Sequence, residues 1–157
     1  EGKRLYSWAR DMPMVTAQGV VDRLKSKYHI FQICYNEQQV LRDVEPVQGL
    51  NEMELFALLK ETKGRILIDS SMQHGAGAMM LPSTVVWIAN EPEVWSYPCH
   101  THILPKVEKK FDTPSKDLYQ RYDISGSTDE YPYETDDIFD VDEIVSSVEK
   151  QISDSGG

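Results

Sequence analysis

A chain of 157 residues is long enough for one domain with its own core and too short for two full ones. The formal net charge of −10, from 26 acidic and 16 basic side chains, provides no positive footprint for nucleic acid. No run of about 18 apolar residues is present to span a membrane, and two cysteines, Cys34 and Cys99, without a CxxC partner make no disulfide scaffold.

Two thiols of this kind are expected reduced, in a cytoplasmic protein. The charge is uneven. Residues 1–116 carry fourteen acidic and fourteen basic side chains, whereas residues 117–157 set twelve acids against Arg121 and Lys150. The expected organisation is therefore a neutral body, residues 1–115, and an acidic, partly flexible extension, residues 116–157. A chain opening on Glu1 is expected to be a processed product or a piece of something longer.

The elements follow in order. Pro13 opens a helical pattern, MVTAQGVVDRLKSK, with Val15, Val20, Val21 and Leu24 on a recurring apolar face that Gly19 weakens locally. HIFQICY, 29–35, reads as a short strand, and the stretch around Pro46 as loop. Asn51 followed by Glu54 has capping-box spacing ahead of Met53, Leu55, Phe56, Leu58 and Leu59, so a helix runs from there to Gly64. RILID is a strand, MQHGAGAMM a short helix of small residues, and STVVWIA a strand rich in β-branched residues. This alternation predicts an α/β fold with a parallel sheet. Beyond Ala89 the prolines 92, 98, 105 and 114 interrupt any long element, and Trp95 and Tyr97 indicate a packed loop. In DIFDVDEIVSSVEKQI, Asp140 and Glu143 are placed to cap a helix near 140–152, with Val141, Ile144, Val145 and Val148 as its stripe.

The stretch LIDSSMQHGAGAMMLP concentrates the candidate chemistry. Ligands of open parallel sheets bind beyond the strand carboxyl ends, and Asp69, Ser70, Ser71 and His74 fall where a strand ends and a helix begins. Backbone N–H groups and the two serine hydroxyls there suit a diphosphate. The alternative is structural: Asp69 and Ser70 cap the helix, and His74 packs under the next strand. Neither a P-loop lysine nor a GxGxxG fingerprint is present, and no GxSxG elbow supports a triad of Ser70 or Ser71 with His74 and Asp69. His100 and His102 lack the further ligands of a zinc site, so no metal is assigned. Glu91 and Glu93, and the basic run Lys106, Lys109 and Lys110, read as solvated charges.

Residues 47–103 resemble the C-terminal domain of heptosyltransferase-like glycosyltransferases, enzymes of GT-B type with two Rossmann-like domains facing across a cleft. Gly49 matches the glycine before the family's helix, and Leu55, Leu58 and Leu59 match that helix. Asp69, Ser70, His74, Ala76 and Ala78 match an Asp-Ser…His-x-Ala-x-Ala segment, and Pro82 precedes the following strand. The opening helix and strand are also similar, extending the resemblance over residues 3–104.

The resemblance implies a Rossmann-like parallel sheet with helices on both faces, followed by the acidic tail and its helix. It implies a nucleotide-sugar donor as substrate, no separate cofactor, a diphosphate bound through the helix N-terminus at 69–75, and a donor-site role for Asp69, Ser70 and His74. Ser71 stands where the family has glycine, which either crowds the phosphate or leaves only a hydroxyl donor there. Gln32, Asn36 and Glu37 replace a glycine-bearing turn and are expected to supply polar contacts. The catalytic base and acceptor site belong to the family's N-terminal domain, so no catalytic residue is assigned and the missing half is an expected partner. The rival expectation is a non-catalytic interaction module that uses the acidic C-terminal segment.

Overall fold

The computed structural model describes residues 11–35, 39–110 and 131–155. Asn36 and Glu37, two of the expected contacts, lie outside the described residues, as do 116–130 of the acidic segment. The architecture is α/β, and every paired strand is parallel.

Helix α1, Met14–Leu24, buries Thr16, Val20, Val21 and Leu24. Strands β1, Phe31–Ile33, and β2, Glu45–Val47, pair with each other in a two-stranded sheet. The stretch around Pro46 is thus a strand rather than the expected loop. Pro46 fits because β2 has one strand neighbour among the described residues, and an edge strand tolerates a missing N–H. Helix α2, Glu52–Glu61, has the expected capping box: the Asn51 side chain accepts from Glu54 N at 3.0 Å and the Glu54 carboxylate accepts from Asn51 N at 2.8 Å.

A second sheet has the order β3, Ile66–Ile68; β4, Thr84–Val86; and β5, Thr101–Ile103. Helix α3, Ser71–Ala78, joins β3 to β4, and a one-turn helix α4, Pro92–Trp95, lies between β4 and β5. Neither α4 nor β5 was expected, since both are short and framed by prolines. The parallel strands fall into two sheets, one of two strands and one of three.

Helix α5, Val141–Asp154, begins at Asp140, whose carboxylate accepts from Asp142 N and Glu143 N. Side chains alternate along a strand, so β4 shows which helices cover which face. Thr84 meets Ser147 of α5 at 2.8 Å, and Val86 shares a cluster with Ile144 and Val148 of α5 and Val20 and Leu24 of α1. Val85 points the other way and is also fully buried. Its register partner, His102, bonds to Ser96 on that side. Helices α1 and α5 therefore cover one face, and α3 with the segment through α4 covers the other.

The acidic segment is not an appendage. Tyr133, Ile138, Phe139 and Ile144 are among the most deeply buried side chains, and the backbone bonds Lys106 N to Ile138 O and Lys110 N to Pro132 O seat 131–139 beside the strand ends. Tyr133 donates its hydroxyl to Ile88 O at 2.9 Å, and burial pushes its pKa up to about 12. The expected boundary at 115/116 lies outside the described residues; Ile144 and Val148 of the α5 stripe face this core. The basic run meets the acids: Lys106 pairs with Asp137 and Lys110 with Glu134. Such exposed pairs contribute up to about 1 kcal/mol each.

Arg65 ties the second sheet to its helices from the opposite end. It is buried, and its guanidinium donates to the carbonyls of Leu59, Thr62 and Pro82. The first two belong to the carboxyl end of α2, where a cation complements the dipole. Burial lowers its pKa, and its backbone N–H donates to Gln151 of α5.

Ile144→Ala removes a fully buried side chain between α5 and β4. Unfolding in urea should show a loss of about 2–4 kcal/mol in a single transition. A loss confined to the C-terminal segment, with the sheet unaffected, contradicts the shared core.

Candidate functional site

β3 ends at Ile68, Asp69 and Ser70 make the turn, and α3 begins at Ser71. Ser70 occupies the N-cap position in an extended conformation, yet neither it nor Asp69 caps the helix. The Ser70 hydroxyl donates back to Ile68 O at 3.3 Å, while the Ser70 carbonyl accepts from Gln73 N at 3.2 Å. Asp69 is buried, and its carboxylate accepts from the side-chain amide of Asn90, which follows β4. This bond joins the carboxyl ends of two adjacent strands and turns the Asp69 charge toward Asn90.

Ser71 is exposed at the first helical position, and the first turn contains no acidic residue. Helices α2 and α5 have both a side-chain cap and acids in that turn. The amino end of α3 accordingly keeps a positive dipole end without a side-chain acceptor.

His74 has a different setting. Its Nδ1 is hydrogen-bonded to the Tyr97 hydroxyl at 3.2 Å, and the two rings meet edge to face at 5.7 Å. Gln73, one residue earlier, is fully buried and donates its amide to Trp95 O at 3.1 Å. The small residues of α3 accommodate aromatic rings. A Cβ on Gly77 would lie 2.4 Å from the Tyr97 ring, and one on Gly75 would lie 2.7 Å from the Phe56 ring. The close approach that glycine permits here is to side chains of this chain.

Gln32 sits at the centre of β1, in the other sheet. Its amide donates to Gln39 O at 3.0 Å and accepts from Leu41 N at 2.8 Å, so it braces the connection between β1 and β2. The structure brings Asp69, Ser70, Ser71 and His74 to one turn, with Asn90 joining them, and gives Gln32 a bracing task elsewhere. Asn90, Gln73 and Tyr97 were missed by sequence reasoning. Asn90 had one signal, its place just past a buried strand, and Tyr97 had another, as an aromatic of a packed loop; Gln73 had none.

His100 and His102 have neighbours of their own. His100 Nε2 lies 3.1 Å from Gln73 O, and His102 Nδ1 lies 3.3 Å from Ser96 Oγ. Among the described residues no group of three or more His, Cys, Asp or Glu side chains is arranged to hold a metal ion, and no helix is long and apolar enough to cross a membrane. Glu91 and Glu93 are exposed. Cys99 is a free thiol, as is Cys34, whose pKa burial raises.

Compared with protein-family models, curated proteins and solved structures, the chain matches none.

Gly77→Ala separates packing from helix propensity. Alanine favours a helix interior by about 1 kcal/mol over glycine. The Tyr97 ring blocks the added methyl, so the variant should be less stable than the parent by about 1–3 kcal/mol. Combining it with Tyr97→Ala should leave Gly77→Ala neutral or stabilising, as read by a double-mutant cycle in urea. Additive losses contradict the contact.

Proposed function

We propose that this chain is the donor-binding half of a glycosyltransferase, holding the diphosphate of a nucleotide-activated sugar at the amino end of α3. The observation that carries this reading is the uncapped first turn of α3 at the carboxyl end of a parallel strand. Asp69 and Ser70, the residues that capping would have used, bond elsewhere. The resemblance over residues 47–103 adds the chemical class of ligand.

In the transfer, the acceptor oxygen bonds to the anomeric carbon as the bond from that carbon to the diphosphate oxygen breaks. The acceptor proton passes to a base, and negative charge grows on the departing nucleotide. The backbone N–H groups of Ser71 and Met72, with the exposed Ser71 hydroxyl, are suited to that growing charge. The base and acceptor contacts are assigned to a second domain or partner protein. His74, bonded to Tyr97, acts in this reading by holding α3 in place rather than by touching the phosphate. The rival reading, an interaction module, relied on the α5 stripe, and Ile144 and Val148 lie in the core.

Ser71→Asp is the discriminating variant. A carboxylate in the first helical turn stabilises the fold by about 0.3–1 kcal/mol, yet it occupies and repels the diphosphate position. Calorimetric titration with ADP, GDP, UDP and their sugar conjugates should show binding of at least one by the parent and none by Ser71→Asp. Absence of heat from all of them with a folded parent, or unchanged binding by the variant, overturns the reading.

A further inference from the structure

Four contacts hold α3 to the segment leading from α4 into β5. Gln73 donates its amide to Trp95 O; the Tyr97 ring lies against Gly77; the Tyr97 hydroxyl bonds to His74; and His100 bonds to Gln73 O. Two of the four involve an imidazole. Tyr97 stands between them, its ring centroid 5.7 Å from His74 and 5.8 Å from His100. A nitrogen facing a carbonyl must donate, so the neutral His100 ring has its proton on Nε2 and its lone pair on Nδ1. That lone pair faces Cys99 Sγ at 3.7 Å.

We propose that this cluster is an acid-released latch, in which a proton taken up by the buried His100 ring frees α3, and with it the turn at 69–74, from the segment between α4 and β5. The second proton goes to Nδ1. It leaves a cation on a side chain that is 7% exposed, with a thiol as the nearest group and no full acceptor. The other groups that act on it are His74 from α3 and His102 from β5, both of which disfavour its charge, and the Gln73 carbonyl, which favours it. Glu93 of α4 favours the charged form of His102, and no carboxylate does so for His100 among the described residues. Tyr97 and Cys99 contribute no positive charge.

The sign follows from burial, which is the main cause holding His100 below the ordinary histidine value. In a released form the solvated ring titrates near 6.5. Above about pH 6.5 both forms are neutral and the latch is fully closed. Below that pH the released form binds the proton first, and the closed-to-released ratio falls by up to about tenfold per pH unit. The fall ends once pH drops below the lowered value of the closed form. The inference needs only the contacts of α3 and stands whether or not a nucleotide sugar binds there.

Amide hydrogen exchange, corrected for the intrinsic rate and read separately for α3 and α5, tests it at about pH 7.5 and about pH 5.5. The expected result is a loss of α3 protection at the lower pH, at most about tenfold, with α5 unchanged. His100→Gln, which retains a donor for the Gln73 carbonyl but no titrating ring, should have equal α3 protection at both pH values. Nitrogen NMR of the wild-type imidazoles gives a reading that does not depend on the variant folding: the loss of protection must follow the His100 titration. Parallel loss in α3 and α5, α3 protection indifferent to pH, a loss following another histidine, or a wild-type loss in His100→Gln overturns the latch.

Discussion

Everything in this fold depends on covering both faces of β4. A parallel strand in the middle of a sheet has no solvated face, and Thr84, Val85 and Val86 are all at most 1% exposed. The nearby sequence covers only one side, through α3. The other cover comes from α1, through Val20 and Leu24, and from 131–154, where Tyr133, Ile138, Phe139, Ile144 and Val148 close the core over Val86 and Ile103. Polar groups follow the same geometry: Thr84 meets Ser147, Ile88 O accepts from Tyr133, and Gln151 meets Arg65 N and Pro82 O. The acidic charge of this segment is compatible with such a role because its acids stand on the outer side, where Asp142 pairs with Arg23 and Glu149 with Lys27.

With β4 enclosed, the carboxyl ends of β3 and β4 become a fixed edge. Asp69 and Asn90 bridge that edge, and α3 leaves it with an uncapped amino end. The same helix is gripped along its length by Phe56 at Gly75 and Tyr97 at Gly77. Its glycines thus contribute precision of placement, at a cost in helix propensity that the ring contacts offset. Two imidazoles take part in this grip, His74 through the Tyr97 hydroxyl and His100 through the Gln73 carbonyl.

Legibility in the sequence varied with how local the cause was. The start of α2 was readable because Asn51 and Glu54 satisfy one another within four residues, and the start of α5 because Asp140 meets the N–H groups that follow it. β3 and β4 were readable from their β-branched and apolar runs. Short elements were not: β2 contains Pro46, α4 is a single turn, and β5 holds Thr101 and His102 in three residues. β2 and β5 are each held by pairing with the preceding strand rather than by a signal within their own three residues. The candidate turn was legible as a junction of strand and helix, but the partners of Asp69, His74 and the glycines were not, since each is about twenty residues away along the chain.

The sequence by itself determined the class of fold, the positions of the capped helices, the two apolar strands β3 and β4 and the strand-to-helix junction after Ile68. These follow from period, capping and turn chemistry, which act over a few residues. Tertiary structure alone decided that the acidic segment belongs to the core and that Asp69 binds Asn90 instead of capping α3. It also decided that the glycines of α3 seat rings and that His100 sits buried against Gln73. Those outcomes depend on which surfaces meet when the chain closes, and burial, unlike helical periodicity, is a property of the whole packed chain.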